Sequence, residues 1–233
     1  MKQILGIIGG MGPLATVDLF KKIVTLTDAE CDQDHLHVLI DNNTGIPDRT
    51  AFLMGRGIDP RSKLVESAKR LQEAGANCLI MPCNTAHYFY DDIVKEIDIE
   101  FLNMIGETAK FLSGSDNETA KIGLLATEGT CKTGVYDSIF STFGLNIEKP
   151  SEDNQKHVTD LIYGIKEGKK NIDISGFYEA VEELGNKGCE IFILGCTELS
   201  VAHEMFNLKG NFVDPLEIVA ISAIKFCGKN TIK

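Results

Sequence analysis

Two cysteines stand where chemistry could be done. Cys83 lies in Ile80-Met-Pro-Cys-Asn-Thr-Ala-His87, and Cys196 in Ile193-Leu-Gly-Cys-Thr-Glu-Leu199. Each ends an apolar run and precedes residues able to begin a helix. Each thiol is therefore expected at the carboxyl end of a buried strand, beside free helix N–H groups that favour a thiolate. An ordinary thiol with pKa about 8.5 is only ~3 % ionised at pH 7; lowering that value to about 7 takes roughly 2 kcal/mol. Two thiols on opposite sides of one cavity suit inversion of a stereocentre. One, as thiolate, removes a proton from one face; the other, as thiol, returns one to the opposite face. The plain alternative is a pair of structural cysteines, since free Cys is among the most buried residue types.

The sequence around the two thiols repeats, which weighs against that alternative. Gly75-Ala-Asn-Cys-Leu-Ile-Met-Pro-Cys83 parallels Gly188-Cys-Glu-Ile-Phe-Ile-Leu-Gly-Cys196, at an offset of 113 positions. Ile4-Leu-Gly-Ile-Ile8 followed by Gly-Gly-Met-Gly parallels Lys121-Ile-Gly-Leu-Leu125 followed by Ala-Thr-Glu-Gly-Thr130, with Gly6 and Gly123 separated by 117. Apolar runs at 4–8, 37–40, 78–81, 122–125 and 191–194 read as parallel strands covered on both faces. Amphipathic stretches at 64–74, 135–143, 157–167 and 177–186 read as helices between them. Asp59-Pro60 can open a helix, and Gly75 and Gly188 can close one. The pattern predicts an α/β fold of two pseudo-symmetric, Rossmann-like lobes with parallel sheets. One lobe comprises residues 1–102 and 211–233, the other 103–210. Ligands of open parallel sheets bind beyond the carboxyl ends of the strands, so the active site is expected in the cleft between the lobes.

Composition narrows the partners. The 233-residue chain carries a formal net charge of −11 and no tryptophan, which disfavours nucleic acid and base- or sugar-stacking platforms. Its seven cysteines form no CxxC pair, which argues against a metal centre or secreted disulfide framework and for a reduced, cytoplasmic protein. The opening MKQILGIIGG resembles a signal peptide, but its apolar stretch is short, and it reads as the first strand. No run is long enough to span a membrane.

Other residues fall near the predicted strand ends. Gly10-x-Gly12-x-x-Ala15 fits a dinucleotide fingerprint, yet no strand ends in an acidic residue about 20 positions later; Asp41 lies too far along. Arg49 sits on a loop at the same sheet end, either as a carboxylate clamp or as a solvated arginine paired with Asp48. Lys166 lies near the apolar face of its helix, where solvation alone is the plain reading. Thr127 and Thr130 flank a turn that can offer hydroxyls and N–H groups to a carboxylate. His87 and Glu198 follow the two cysteines and could orient or protonate a neighbour; His87 is equally readable as a partly buried structural side chain.

Together these segments resemble the aspartate/glutamate racemase family, and its aspartate racemase branch in particular. The resemblance rests on Gly9-Gly-Met-Gly-Pro-x-Ala-Thr16, Pro82-Cys-Asn-Thr-Ala-His87 and Gly195-Cys-Thr-Glu-Leu199. Pro47-Asp-Arg-Thr50, Ala126-Thr-x-Gly-Thr130 and Ile165-Lys-x-Gly168 follow the order that family shows. It runs nearly end to end and implies a cofactor-independent racemase of acidic amino acids, usually a homodimer. It implies Cys83 and Cys196 as the proton-transferring pair. Asn84, Thr85, Thr127 and Thr197 would hold the amino-acid head, Arg49 and Lys166 the carboxylates, and Met11 the pocket wall. Two other readings stay open: another reaction of the wider superfamily (decarboxylase, cis-trans isomerase or hydantoin racemase), or a non-catalytic amino-acid-binding protein.

Overall fold

The computed structural model describes residues 3–114, 120–169 and 171–232. The first lobe runs β1 (Ile4–Gly9), α1 (Pro13–Leu26), β2 (His37–Asn42), α2 (Arg49–Leu53), α3 (Arg61–Glu73), β3 (Cys78–Ile80), α4 (Tyr90–Val94) and β4 (Glu100–Phe101). Helix α5 (Met104–Ser113) leads to the second, which runs β5 (Lys121–Ala126), α6 (Glu128–Thr133), α7 (Val135–Ser141), β6 (Ile147–Glu148), α8 (Glu152–Lys166), α9 (Ser175–Asn186), β7 (Cys189–Gly195), α10 (Thr197–Phe206) and β8 (Phe212–Val213). Helix α11 (Pro215–Phe226) closes the described fold. The sheets have orders β2-β1-β3-β4 and β6-β5-β7-β8, with every pairing parallel. The two-lobed α/β expectation is met.

The five apolar runs all became strands; the central ones are covered on both faces, whereas β2, at the edge of its sheet, has no buried residue. Leu5, Ile7 and Ile8 of β1 and Leu124 and Leu125 of β5 are wholly buried; each such side chain contributes about 1.5–3 kcal/mol by leaving water. Gly6 and Gly123 permit close helix packing at equivalent places. A Cβ on Gly6 would stand 2.5 Å from Leu79 Cδ2, and one on Gly123 would stand 2.9 Å from Leu184 Cδ1. Gly75 and Gly188, at φ 101° and 89°, turn the chain after α3 and α9 into the strands that carry the two cysteines.

Two features depart from the sequence reading. The two-residue strands β4 and β6 are too short to leave a periodic signal. Segment 211–233 also divides: β8 pairs with β7 in the second sheet, whereas α11 packs into the core around β1 and β3 through Leu216, Val219, Ala220, Ala223 and Ile224. Helix α5 makes the reciprocal move, placing Ile105, Ala109 and Leu112 in the core around β5 and β7. Each lobe thus lends its final helix to the other, which fixes the cleft between them. Among the described residues no helix is long and apolar enough to cross a membrane.

Candidate active site

The two cysteine motifs meet at the cleft. Cys83 follows β3 and Cys196 follows β7, and they are 5 % and 6 % exposed. Thr197 Oγ1 lies 3.4 Å from the carbonyl of Pro82, the residue before Cys83. Asn84 is joined to the other lobe by Tyr136, whose hydroxyl donates to Asn84 Oδ1 at 2.6 Å. Thr85 closes a buried triangle with Thr127 and Thr130, with Oγ1 separations of 3.0, 2.8 and 3.0 Å. Thr127 also caps α6, accepting from the Thr130 N–H at 3.2 Å.

The flanks of the thiols differ from the expectation of two matching helix N-termini. Cys196 is the N-cap of the ten-residue α10. Cys83 is followed instead by a 3₁₀ turn over Thr85–Phe89, for which Asn84 makes no side-chain cap. His87 explains part of that turn. Its Nδ1 lies 2.8 Å from the Cys83 carbonyl, and its Nε2 accepts from the Met104 N–H at 3.1 Å. Those partners require the neutral ring, and burial lowers its pKa to about 4. His87 therefore braces the backbone beneath Cys83 and the start of α5, and it is not a proton donor at neutral pH.

Arg49 is 8 % exposed at the start of α2. Its Nη2 donates to the Met11 carbonyl at 3.1 Å and Nη1 to the Pro47 carbonyl at 3.1 Å, leaving Nε without a partner. Burial opposes its charge, but Cys83 and Asp48 hold the guanidinium above its usual pKa. Asn84 Nδ2 is a second buried donor without a partner. Buried polar groups are normally satisfied, so two orphaned donors beside two thiols fit a site for an oxygen-rich ligand.

Lys166, at the end of α8, is an exposed residue whose ammonium lies 5.0 Å from the centre of the Tyr163 ring. Burial lowers its pKa, but Cys196, Glu198 and Cys83 outweigh that effect and raise it; solvent screens part of the attraction. Lysine and both thiols thus share one electrostatic neighbourhood. Cys196 donates to Glu198 Oε2 at 3.0 Å. Burial first, and Glu198 second, push that thiol well above its ordinary value, with Lys166 opposing them.

A cleft of about 300 Å³ opens over this group, lined among others by Met11, Ile46, Arg49, Ile165, Lys166 and Glu198. Met11 and Lys166 thus form part of the wall, while Thr130 lies wholly buried behind Thr85. Neither Cys83 nor Cys196 is among the residues that line this cleft or a larger hollow of about 850 Å³ lined by Phe111, Phe212 and Ile221. Sequence reasoning missed Tyr136 and Thr50. Tyr136 sat in the amphipathic run 135–143, which read only as a helix. Thr50 Oγ1 lies 3.5 Å from Thr127 Oγ1, and a Cβ on Gly129 would approach Thr50 to 3.0 Å; Gly129 was the available clue to that contact.

The chain belongs to the Asp/Glu/Hydantoin racemase family, which it matches over residues 8–223. It is similar to the aspartate racemase of Picrophilus torridus, with 31 % identity, a TM-score of 0.87 and coverage of 99 % of this chain and 96 % of that one. It is also similar to the broad specificity amino-acid racemase RacX of Bacillus subtilis (strain 168), 25 % identical over 227 residues and covering 94 % of this chain and 96 % of the relative. The glutamate racemase of Francisella tularensis subsp. tularensis, solved in complex with D-glutamate, is 17 % identical with a TM-score of 0.70, covering 97 % and 80 % of the two chains. That last likeness is one of fold.

Proposed function

We propose that this protein is a cofactor-independent racemase that interconverts L- and D-aspartate by a two-base mechanism, with glutamate as the alternative acid. The observation that carries the reading is that Cys83 and Cys196, from equivalent strand ends, share one electrostatic neighbourhood with Arg49 and Lys166, whose side chains line the cleft. A thiolate at one cysteine takes the α-proton, forming S–H and leaving an enediolate-like anion. The thiol opposite gives its proton to the other face of Cα and becomes the thiolate. The next turnover starts from the opposite enantiomer with the roles exchanged.

The α-proton of a free amino acid is weakly acidic, so charge developing on the carboxylate must be stabilised. Donors aimed at such an oxyanion are worth a few kcal/mol each. The partnerless Asn84 Nδ2, Thr85 and Thr197 are the candidates for that role, with Thr127 behind them. Arg49 and Lys166 would take the side-chain carboxylate, and Met11 would line the pocket. Thr130 and His87 would support the site by holding Thr85 and the Cys83 backbone. We further propose that the protein acts in the reducing cytoplasm as a homodimer, with no nucleic-acid or membrane partner.

A second reading is a wider amino-acid substrate range, favoured by the likeness to a relative described as broad in specificity. The deciding test incubates reduced protein with L-aspartate in D2O without added cofactor. NMR follows loss of the α-proton and chiral chromatography follows D-aspartate. Exchange with inversion is expected. Inert aspartate and glutamate, with another amino acid inverted, would favour the second reading.

A further inference from the structure

An amino acid brings an ammonium as well as carboxylates, and the cations of this cleft do nothing for it. Among the described residues that line the cleft, the carboxylates are Asp48 and Glu198. Asp48 is exposed, and its Oδ1 is engaged in capping α2 by accepting from the Ala51 N–H at 2.6 Å. Glu198 is only 5 % exposed.

The two oxygens of Glu198 differ. Oε2 accepts from Cys196 Sγ at 3.0 Å and lies 3.4 Å from Thr197 Oγ1. Oε1 lies against the Gly10–Gly12 turn, 3.5 Å from where a Gly12 Cβ would stand. It accepts no hydrogen bond from a described residue. A buried carboxylate with an open lone pair in a ligand cleft is costly unless a cation or donor completes it. Arg49 and Lys166 supply field but no hydrogen bond to it.

We propose that Glu198 receives the substrate's α-ammonium and, until it does, holds Cys196 as a thiol. This rests on the racemase reading above. In the empty site the Cys196 S–H donates to a negative carboxylate, and proton loss would set two anions side by side. An ammonium on Oε1 neutralises that carboxylate and removes the repulsion, so Cys196 becomes competent to ionise only when an amino group is present. The same contact selects amino acids over dicarboxylates that lack nitrogen.

The test uses the full chain with Glu198→Gln, which keeps the shape and removes the charge. Circular dichroism checks its fold, and Glu198→Met serves if the first variant fails to fold. Calorimetry compares aspartate with succinate, which lacks the amino group. The expected result is at least a tenfold loss of aspartate affinity with succinate unchanged or tighter. Without substrate, alkylation by iodoacetamide at pH 8, read by peptide mass spectrometry, is expected to speed up at Cys196 at least tenfold relative to Cys83. Equal weakening of both acids, or no change in either, overturns the ammonium role alone. An unchanged or slower Cys196 overturns the holding role. Failure of the unaltered protein to bind aspartate overturns the aspartate reading and the ammonium role with it.

Discussion

Cys83 and Cys196 end equivalent strands of equivalent sheets, yet their surroundings oppose one another. Cys196 has the better helix behind it, and a helix N-terminus favours a thiolate. Its burial and the carboxylate of Glu198 override that preference and drive the thiol upward. Cys83 has only a 3₁₀ turn after it, but a buried guanidinium responds to it and His87 fixes its carbonyl. Duplication therefore set where the thiols stand, and residues peculiar to each lobe set what surrounds them, a guanidinium near Cys83 and a carboxylate against Cys196. In the two-base racemase proposed above, such unlike surroundings would let the two thiols take different parts.

The sharpest way to break the comparison is to remove either sulfur. Cys83→Ser and Cys196→Ser should each lower racemisation about 10³-fold, within the range of general acid–base contributions. Followed separately from L- and D-aspartate in D2O, each variant should retain α-proton exchange from at most one enantiomer. Equal residual exchange from both would mean that the thiols are not on opposite faces. Arg49→Lys should cost about 100-fold in kcat/KM with unchanged far-UV circular dichroism, because an ammonium cannot reproduce the planar fork held by the Met11 and Pro47 carbonyls.

Two smaller effects read the scaffold on the Cys83 side. The folded-state pKa of His87, about 4, lies below its ordinary 6.5. Between those values the unfolded chain binds more protons, so the stabilisation is complete above about pH 6.5 and lost as pH falls toward about 4. Its size is on the order of 3 kcal/mol. Urea midpoints measured across that range should fall with acidification, and this component should be absent in His87→Gln. Thr85→Val should cost about 1–3 kcal/mol in the same measurement at pH 7, because Thr127 and Thr130 each lose a buried partner.

Much of this was legible in the residues. The repeat at Gly75–Cys83 and Gly188–Cys196 announced two lobes, since glycine turn, apolar strand and terminal thiol recur in one order. Arg49 and Lys166 were readable as cations near strand ends, although nothing local showed that Lys166 would be exposed at the end of its helix yet within the field of both thiols. His87 illustrates what pattern leaves out. Its position after Cys83 was visible, but its neutral ring is dictated by the Met104 N–H, which lies beyond two further elements. Strands β4 and β6 were invisible because two residues carry no period, whereas a strand at Phe212 was expected in the first lobe and pairs instead with β7 in the second.

By itself the sequence determined the two parallel sheets, the placement of a thiol at the end of one strand in each, and the glycines that let helices approach them. Those depend on backbone reach and on apolar runs short enough to read locally. The tertiary structure alone decided the exchange of α5 and α11, the Thr85–Thr127–Thr130 triangle across the lobes, and the pairing of Cys83 with Arg49, whereas Glu198, two residues after Cys196, was readable beside it. Burial and charge act through space, so the protonation of a thiol is set by whichever groups the fold brings within a few ångströms, however far apart they lie along the chain.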